Sequence, residues 1–283
     1  LPAVFFGFSF RHHGPHTAFH GLARALSDQI VIDATTPWPA WTPHALEWRL
    51  SWRWLYYSEF RLRRYYLRRD PMVMHYFFPE NTMYRAHEWK RHHRLIATCH
   101  QPYERLKAPR EGDWRLHLFL AGVRSADAVV VQCASHVEQY REIFPSSRLE
   151  NIPLGVDTDF FRSHGRVVKP ARPRILTVGN WLRDYGTWAQ TVKMLQAGGC
   201  DADFVVVANT DTQQAARNAL GGDHPRVQFL SGLSDEALRD EYETASVFFL
   251  PLTHAMANDA LLEALALATP IVVTDLPATR DYA

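Results

Sequence analysis

The sequence predicts an α/β protein of two domains, each a parallel sheet flanked by helices. Short apolar, β-branched bursts such as 95–99, 128–132, 204–208 and 271–273 recur between helix-forming stretches, the rhythm of doubly wound sheets. Twice, near residues 4–26 and 174–197, a strand leads through a glycine-bearing loop into a helix. Residues 161–173, with Gly165, Pro170, Pro173 and several charges, break the rhythm. They read as a linker between an N-terminal domain, 1–160, and a C-terminal one, 174–283.

In order, 4–10 is an aromatic strand, 18–26 a short helix and 30–32 a second strand. Between the first strand and its helix, Gly14 permits a tight turn. His12, His13, His16 and His20 crowd this opening. No Cys or carboxylate at ligand spacing joins them, so they read as polar lining or surface residues, and no metal site is expected. Residues 37–43 form a Pro- and Trp-rich loop.

Residues 45–69 have a helical composition. At 100° per residue Arg49, Arg53, Arg61, Arg64 and Arg68 share one arc, while Trp48, Trp52, Leu55, Leu62 and Tyr66 fall roughly opposite. Three uses fit this pattern. The arginine face suits an anionic membrane surface, where each Arg adds about 1 kcal/mol; it equally suits a phosphate-bearing acceptor, or is simply solvated while the apolar face packs on the sheet. Arg61, Arg64 and Arg68 carry the first two readings. Nothing here matches a dedicated nucleic-acid module.

The strands 72–78 and 95–99 end in polar groups, and ligands of open α/β sheets bind at strand ends, which singles out His75 and His100. His100 reads as a site residue or a capped loop histidine. A helix at 114–125, a strand at 128–132 and a helix at 135–144 with Ser135 as N-cap follow, then an extended exit through 151–157.

The second domain reads as strand 174–178, loop 179–186 and helix 188–197, then strand 204–208, helix 212–220, strand 227–230, a turn through Gly232, helix 235–244 and strand 247–250. Its last stretch, NDALLEALALATPIVVTD from Asn258 to Asp275, is a helix with Asn258 and Asp259 as N-cap types, feeding a buried strand. Helix N-termini at strand ends favour phosphate. Glu263 is the odd residue there: either it faces solvent, or it sits among Leu261, Leu262, Leu265 and Leu267 and needs a partner such as a ribose diol.

Composition bounds the class. Of 283 residues 47% are hydrophobic and 22% charged, which suits a globular chain. Three scattered cysteines, Cys99, Cys133 and Cys200, suggest neither a disulfide framework nor a zinc knuckle and fit a reducing cytoplasm. No apolar run approaches the roughly 20 residues of a membrane span. Net charge is +1, yet residues 41–110 hold 14 Lys/Arg against 6 Asp/Glu. That polarity leaves a peripheral position on the inner face of a membrane open.

The ordered blocks NIPLGVDTDFF, ILTVGNWLRDYGT and FFLPLTHAMANDALLEALALATPIVVTD resemble the donor half of a family-4 (group 1) glycosyltransferase. The resemblance implies the GT-B fold, two Rossmann-type domains facing a cleft, and a second domain that normally continues beyond Ala283. It implies a retaining, metal-independent transferase with a nucleotide-diphosphate sugar as donor, no cofactor, and a glycan or lipid-linked acceptor. In that family a paired-Glu motif on the helix holds the donor ribose through its second Glu, which is Glu263 here. The first falls on Ala255. An Arg after the first loop glycine, Gly179, and a Lys before the second contact donor phosphates; here they are Asn180 and Tyr185, leaving Arg183 as a displaced candidate. Backbone near Gly232 and Leu233 would frame the nucleobase, and His100 and Gly14 would approach the reacting sugar. Asp259 would repel a diphosphate unless it faces away.

Two other functions fit the same residues. A non-catalytic binding protein is suggested by Asn180, Tyr185 and Ala255, and a sugar-nucleotide epimerase would use the same donor site without an acceptor.

Overall fold

The structure is a computed structural model and describes residues 1–9, 14–26, 28–35, 44–165 and 170–283. By its contacts the chain divides into two compact units: Leu1–His13 with Ala18–Pro153, and Gly14–Thr17 with Leu154–Ala283.

The first unit is a six-stranded parallel sheet. Its strands are β1 (Ala3–Gly7), β2 (Ile30–Asp33), β3 (Val73–Phe77), β4 (Arg94–Cys99), β5 (Ala128–Val131) and β6 (Arg148–Asn151). They lie in the order β2-β1-β3-β4-β5-β6, with Phe5 opposite His75 and Cys99 opposite Val131. Strand order reverses between β1 and β3, the position at which such sheets open a crevice. Helices α1 (Ala18–Ala25), α2 (His44–Arg61), α3 (Arg63–Tyr66), α4 (Pro79–Thr82), α5 (Ala86–Trp89), α6 (Tyr103–Lys107), α7 (Trp114–Arg124) and α8 (Val137–Ile143) cover it. The core is Val4, Phe6, Met74, Tyr76, Leu95, Ala97 and Val129 from the strands against Leu55, Leu62, Phe119 and Tyr140 from the helices.

The helix expected over 45–69 is two pieces, α2 and α3. Leu62 N donates to Glu59 O, three residues back, and this tightened turn interrupts the α ladder. The expected arc holds in most positions: Arg49, Arg53, Arg61, Arg64 and Arg68 are exposed, Leu55, Leu62 and Tyr66 are buried, and Trp52 is only half-buried. The Trp48 side chain, His12, His13 and the 37–43 loop lie outside the description. Ser135 is not the N-cap of its helix, because a 3-10 turn over Ala134–His136 precedes α8. The extended exit contained a strand, β6.

The second unit is a five-stranded parallel sheet in the order β11-β10-β7-β8-β9. Its elements are β7 (Arg174–Val178), α9 (Tyr185–Ala197), β8 (Asp203–Val207), α10 (Thr210–Leu220), β9 (Val227–Leu230), α11 (Asp235–Thr244), β10 (Val247–Leu250), α12 (Asp259–Ala266), β11 (Ile271–Val273) and α13 (Pro277–Arg280). Side-chain caps start its four long helices before the last strand. Asp184 accepts from Thr187 N, Asn209 from Thr212 N, Ser234 from Ala237 N and Asn258 from Leu261 N. Strand β8 reads DFVVV and buries Phe204, Val205 and Val206, as a strand covered on both faces requires. Trp188 from α9 fills the space between sheet and helix layer.

Candidate functional site

In the second unit the sheet reverses between β7 and β10, so the loop after β7 and the loop before α12 are neighbours. Thr253 N donates to Leu182 O (3.0 Å) and Asp184 N to Pro251 O (2.9 Å), and Arg183 bridges Leu252. These bonds gather Gly179, Arg183, Asn258, Asp259 and Glu263 at one crevice edge.

Arg183 points inward. Its Nε donates to Val178 O (2.8 Å) and Nη1 to Trp181 O (2.9 Å), while burial lowers its pKa and the charges of Asp259 and Glu263 oppose that fall. Gly179, at φ 112°, makes room for it: a Cβ there would lie 2.2 Å from Arg183 Nη2. The bland alternative for Glu263 does not hold, since the side chain is 3% exposed. Tyr242 Oη donates to its Oε2 at 2.9 Å. Burial pushes the Glu263 carboxyl up to about 8. Asp259, the first residue of α12, is half-buried; desolvation raises its carboxyl to about 6 and Arg183 pulls it back. The cap itself is Asn258, whose Oδ1 accepts from Leu261 N.

The departures from the family pattern have structural occupations. Asn180 Oδ1 accepts from Asn209 N (2.7 Å), tying the loop to the start of α10. Tyr185 is buried and its hydroxyl donates to Gly179 O (2.9 Å). Ala255 is buried. Gly232 (φ 65°) and Leu233 follow β9, where the Leu230 carbonyl already accepts from Ala208 N and Gln213 Nε2. Gly14 belongs by its contacts to the second unit and packs on Asp235, whose Oδ2 accepts from His16 N.

In the first unit His100 follows β4 and stacks on Phe78, ring centroids 4.4 Å apart. Phe78 sits in the left-handed region (φ 55°), a conformation costly for a bulky residue. Gln132 hydrogen-bonds the His100 side chain, while among the described residues its Nε2 is buried without a hydrogen-bond partner. Burial first, then nearby His75, lowers the His100 pKa to about 4, so the ring is neutral at pH 7. A neutral imidazole with a vacant nitrogen can accept from or donate to a hydroxyl. His75 bonds Thr98 Oγ1 at 2.8 Å.

Arg61, Arg64 and Arg68 are exposed on α2, α3 and the turn beyond; Arg64 also donates to Tyr65 Oη. Sequence reasoning missed Tyr242 and Phe78. Tyr242 gives no local signal, whereas the Phe78-Pro79 dipeptide marks a residue displaced from the helical region.

Comparison with known families decides the identity. The model described as Glycosyltransferase Family 4 matches residues 12–160, and that described as Glycosyl transferases group 1 matches 172–283. The chain belongs to glycosyltransferase family 4. This family-4 glycosyltransferase is therefore an enzyme of sugar transfer. No curated protein matches it. Among solved structures it is similar to sucrose-phosphate synthase from Thermosynechococcus elongatus, at TM-score 0.71 and 16% identity over 96% of this chain and 81% of that one. It also resembles the UDP-forming α,α-trehalose-phosphate synthase from Burkholderia xenovorans, solved with glucose-6-phosphate (TM-score 0.63, 15% identity, 99% and 86% covered). A third is Anabaena HepE in complex with UDP-glucose (TM-score 0.63, 10% identity, 98% and 82% covered). At these identities the likeness establishes the GT-B fold of this glycosyltransferase. Among the described residues no helix is long and apolar enough to cross a membrane.

Proposed function

We propose that this glycosyltransferase moves a sugar from a nucleotide-diphosphate donor to a glycan or lipid-linked acceptor, with retention of configuration and without a metal ion. The observation that carries the reading is the gathering of Arg183, Gly179, Asn258, Asp259 and Glu263 where β7 and β10 end. Glu263, held by Tyr242, accepts from the donor ribose. Arg183 and the amides at the start of α12 stabilise charge on the leaving diphosphate, which develops in the transition state and is where fixed dipoles act most strongly. The backbone at Gly232 and Leu233 frames the base. His100, neutral and with a vacant nitrogen, orients a hydroxyl of the reacting sugar or acceptor, and Gly14 lets backbone approach it. Anabaena HepE, solved in complex with UDP-glucose, supports a nucleotide-diphosphate sugar as the donor class.

Calorimetric titration with UDP, GDP and ADP, with Glu263→Ala alongside, tests the donor site. Binding of one nucleotide that the variant loses supports the reading and names the base; no binding by a folded chain removes it.

A peripheral membrane position, on an anionic surface, is favoured by a separate observation. Arg61, Arg64 and Arg68 are exposed beside the exposed apolar side chains Tyr57, Phe60 and Leu67. Flotation with anionic vesicles that survives Arg61→Glu, Arg64→Glu and Arg68→Glu together excludes this face as the contact.

A further inference from the structure

A surface cavity of about 300 Å³ opens in the first unit beside the starts of β3 and β4, the end of the sheet away from Phe78 and His100. Leu67 closes α3 ahead of β3, Arg91 precedes β4, and Arg94 N donates to Met72 O where the two strands begin. Phe60, Tyr66, Leu67 and Trp89 supply the apolar part of its wall. Arginines 63, 85 and 91 line it as well.

Its charge is unbalanced. Among the described residues Glu88 is the one acid lining it, and Arg85 already holds that carboxylate. Among the described residues neither Arg63 nor Arg91 has a carboxylate within ion-pair distance. Arg63 lies over Phe60 (5.9 Å) and Arg85 over Trp89 (5.4 Å), so both cations rest on aromatic faces; Arg85 commits Nε and Nη2 to Glu88, whereas the Arg63 fork is left for a further partner. Arg91 holds a left-handed backbone, φ 45°, which L residues other than Gly, Asn and Asp rarely adopt. Guanidinium forks match phosphate oxygens geometrically, and a volume of this size admits a phosphate with a few carbons attached.

The rim narrows the ligand class. Phe60 is 44% and Leu67 50% exposed, facing outward beside the solvated Arg64 and Arg68. Outward apolar side chains ringed by arginines suit an interface between water and hydrocarbon better than a freely dissolved anion. We infer that this cavity binds the phosphate of an anionic membrane lipid, with Arg63 and Arg91 around the oxygens and Phe60 and Leu67 against the first carbons. The inference rests on the membrane-surface reading above and deepens it, since one lipid phosphate in one cavity differs from attraction to a diffuse field.

The test uses the full chain and short-chain phosphatidic acid below its micelle-forming concentration, with inorganic phosphate as a second titrant. Two double variants, R63Q/R91Q in the cavity and R61Q/R64Q outside it, are checked for folding by circular dichroism. The short-chain lipid is expected to bind more tightly than inorganic phosphate. R63Q/R91Q weakens it about tenfold or more and R61Q/R64Q by less than about twofold. Equal weakening by both variants, or no preference for the lipid over phosphate, overturns the inference. Flotation on phosphatidic-acid vesicles keeps the two readings apart. Short-chain binding without flotation supports the cavity and removes the membrane reading, whereas flotation without short-chain binding removes the cavity.

Discussion

Tyr242 Oη donates to Glu263 Oε2 across 2.9 Å, with both side chains buried in the second unit. The hydroxyl fixes the rotamer of the carboxyl that the donor ribose would meet. Tyr242→Phe leaves a buried oxygen unpaired, so the expected loss is about 1–3 kcal/mol of stability. Freed rotation of Glu263 should also weaken nucleotide binding about tenfold. Urea unfolding and calorimetry measure the two effects, and wild-type values in both would show the hydroxyl to be idle.

Gly179 and Arg183 form a steric pair. Gly179→Ala places a methyl against Arg183 Nη2 and an alanine at φ 112°, and should cost about 2–3 kcal/mol. In an Arg183→Ala background the clash disappears and only the backbone strain remains, near 1 kcal/mol or somewhat above. Urea midpoints of the four proteins give the coupling; additive costs would mean the two groups do not meet.

Glu59 of α2 is fully buried and accepts from Tyr84 N and Arg85 N, and desolvation raises its carboxyl from 4.5 to about 8. Between those values the folded chain keeps a proton that the unfolded chain releases. Stability is therefore full below pH 4.5 and falls as pH rises towards 8, with a slope of about 1.4 kcal/mol per pH unit for this group. Glu263 adds a parallel slope in the second unit. Glu59→Gln should flatten the decline of the first unit, while costing about 1–3 kcal/mol at neutral pH because an amide NH2 faces backbone donors. Midpoints at pH 6, 7 and 8 check this; a variant as steep as wild type would assign the slope elsewhere.

What could be read in advance follows from locality. Strands β7, β9, β10 and β11 lie where their short apolar and aromatic runs, set off by Gly, Pro, Ser or Asp nearby, put them. Glu263 stood out because a carboxylate in an apolar run is locally anomalous. Helices α4, α5 and α6 are a turn or so long, too short to show a period, and were missed. The partners of Glu59 and Glu263 lie 25 or 26 and 21 residues away, so no local pattern encodes either contact. Arg183 was visible as a cation in the right loop, but its bonds to Val178 O and Trp181 O exist only once the loop has closed.

His100 should act without titrating. With its pKa lowered to about 4, the ring stays neutral from pH 5 upward, so its removal should lower kcat/KM without removing an ionisation near 6.5 from the pH profile. His100→Ala is expected to cost about 100-fold in kcat/KM and less than about twofold in nucleotide affinity. An equal loss in both would make His100 a donor-binding group instead.

Asp259 makes donor affinity depend on pH. Its carboxyl, raised to about 6, sits at the start of α12 next to the proposed diphosphate position, with Arg183 as its counter-charge. Above pH 6 the carboxylate repels the diphosphate and competes for Arg183; below it the proton removes both effects. Affinity for the nucleoside diphosphate should therefore rise as pH falls from 7.5 to 5.5. Asp259→Asn should hold the tighter value throughout, about tenfold above wild type at pH 7.5, or about 1.4 kcal/mol. The same titrations carry an independent signal, because wild type takes up a proton on binding near pH 6.5 and the variant takes up less. A wild-type affinity flat across this range would mean that the diphosphate does not lie at the start of α12, and the assignment of Arg183 would fall with it.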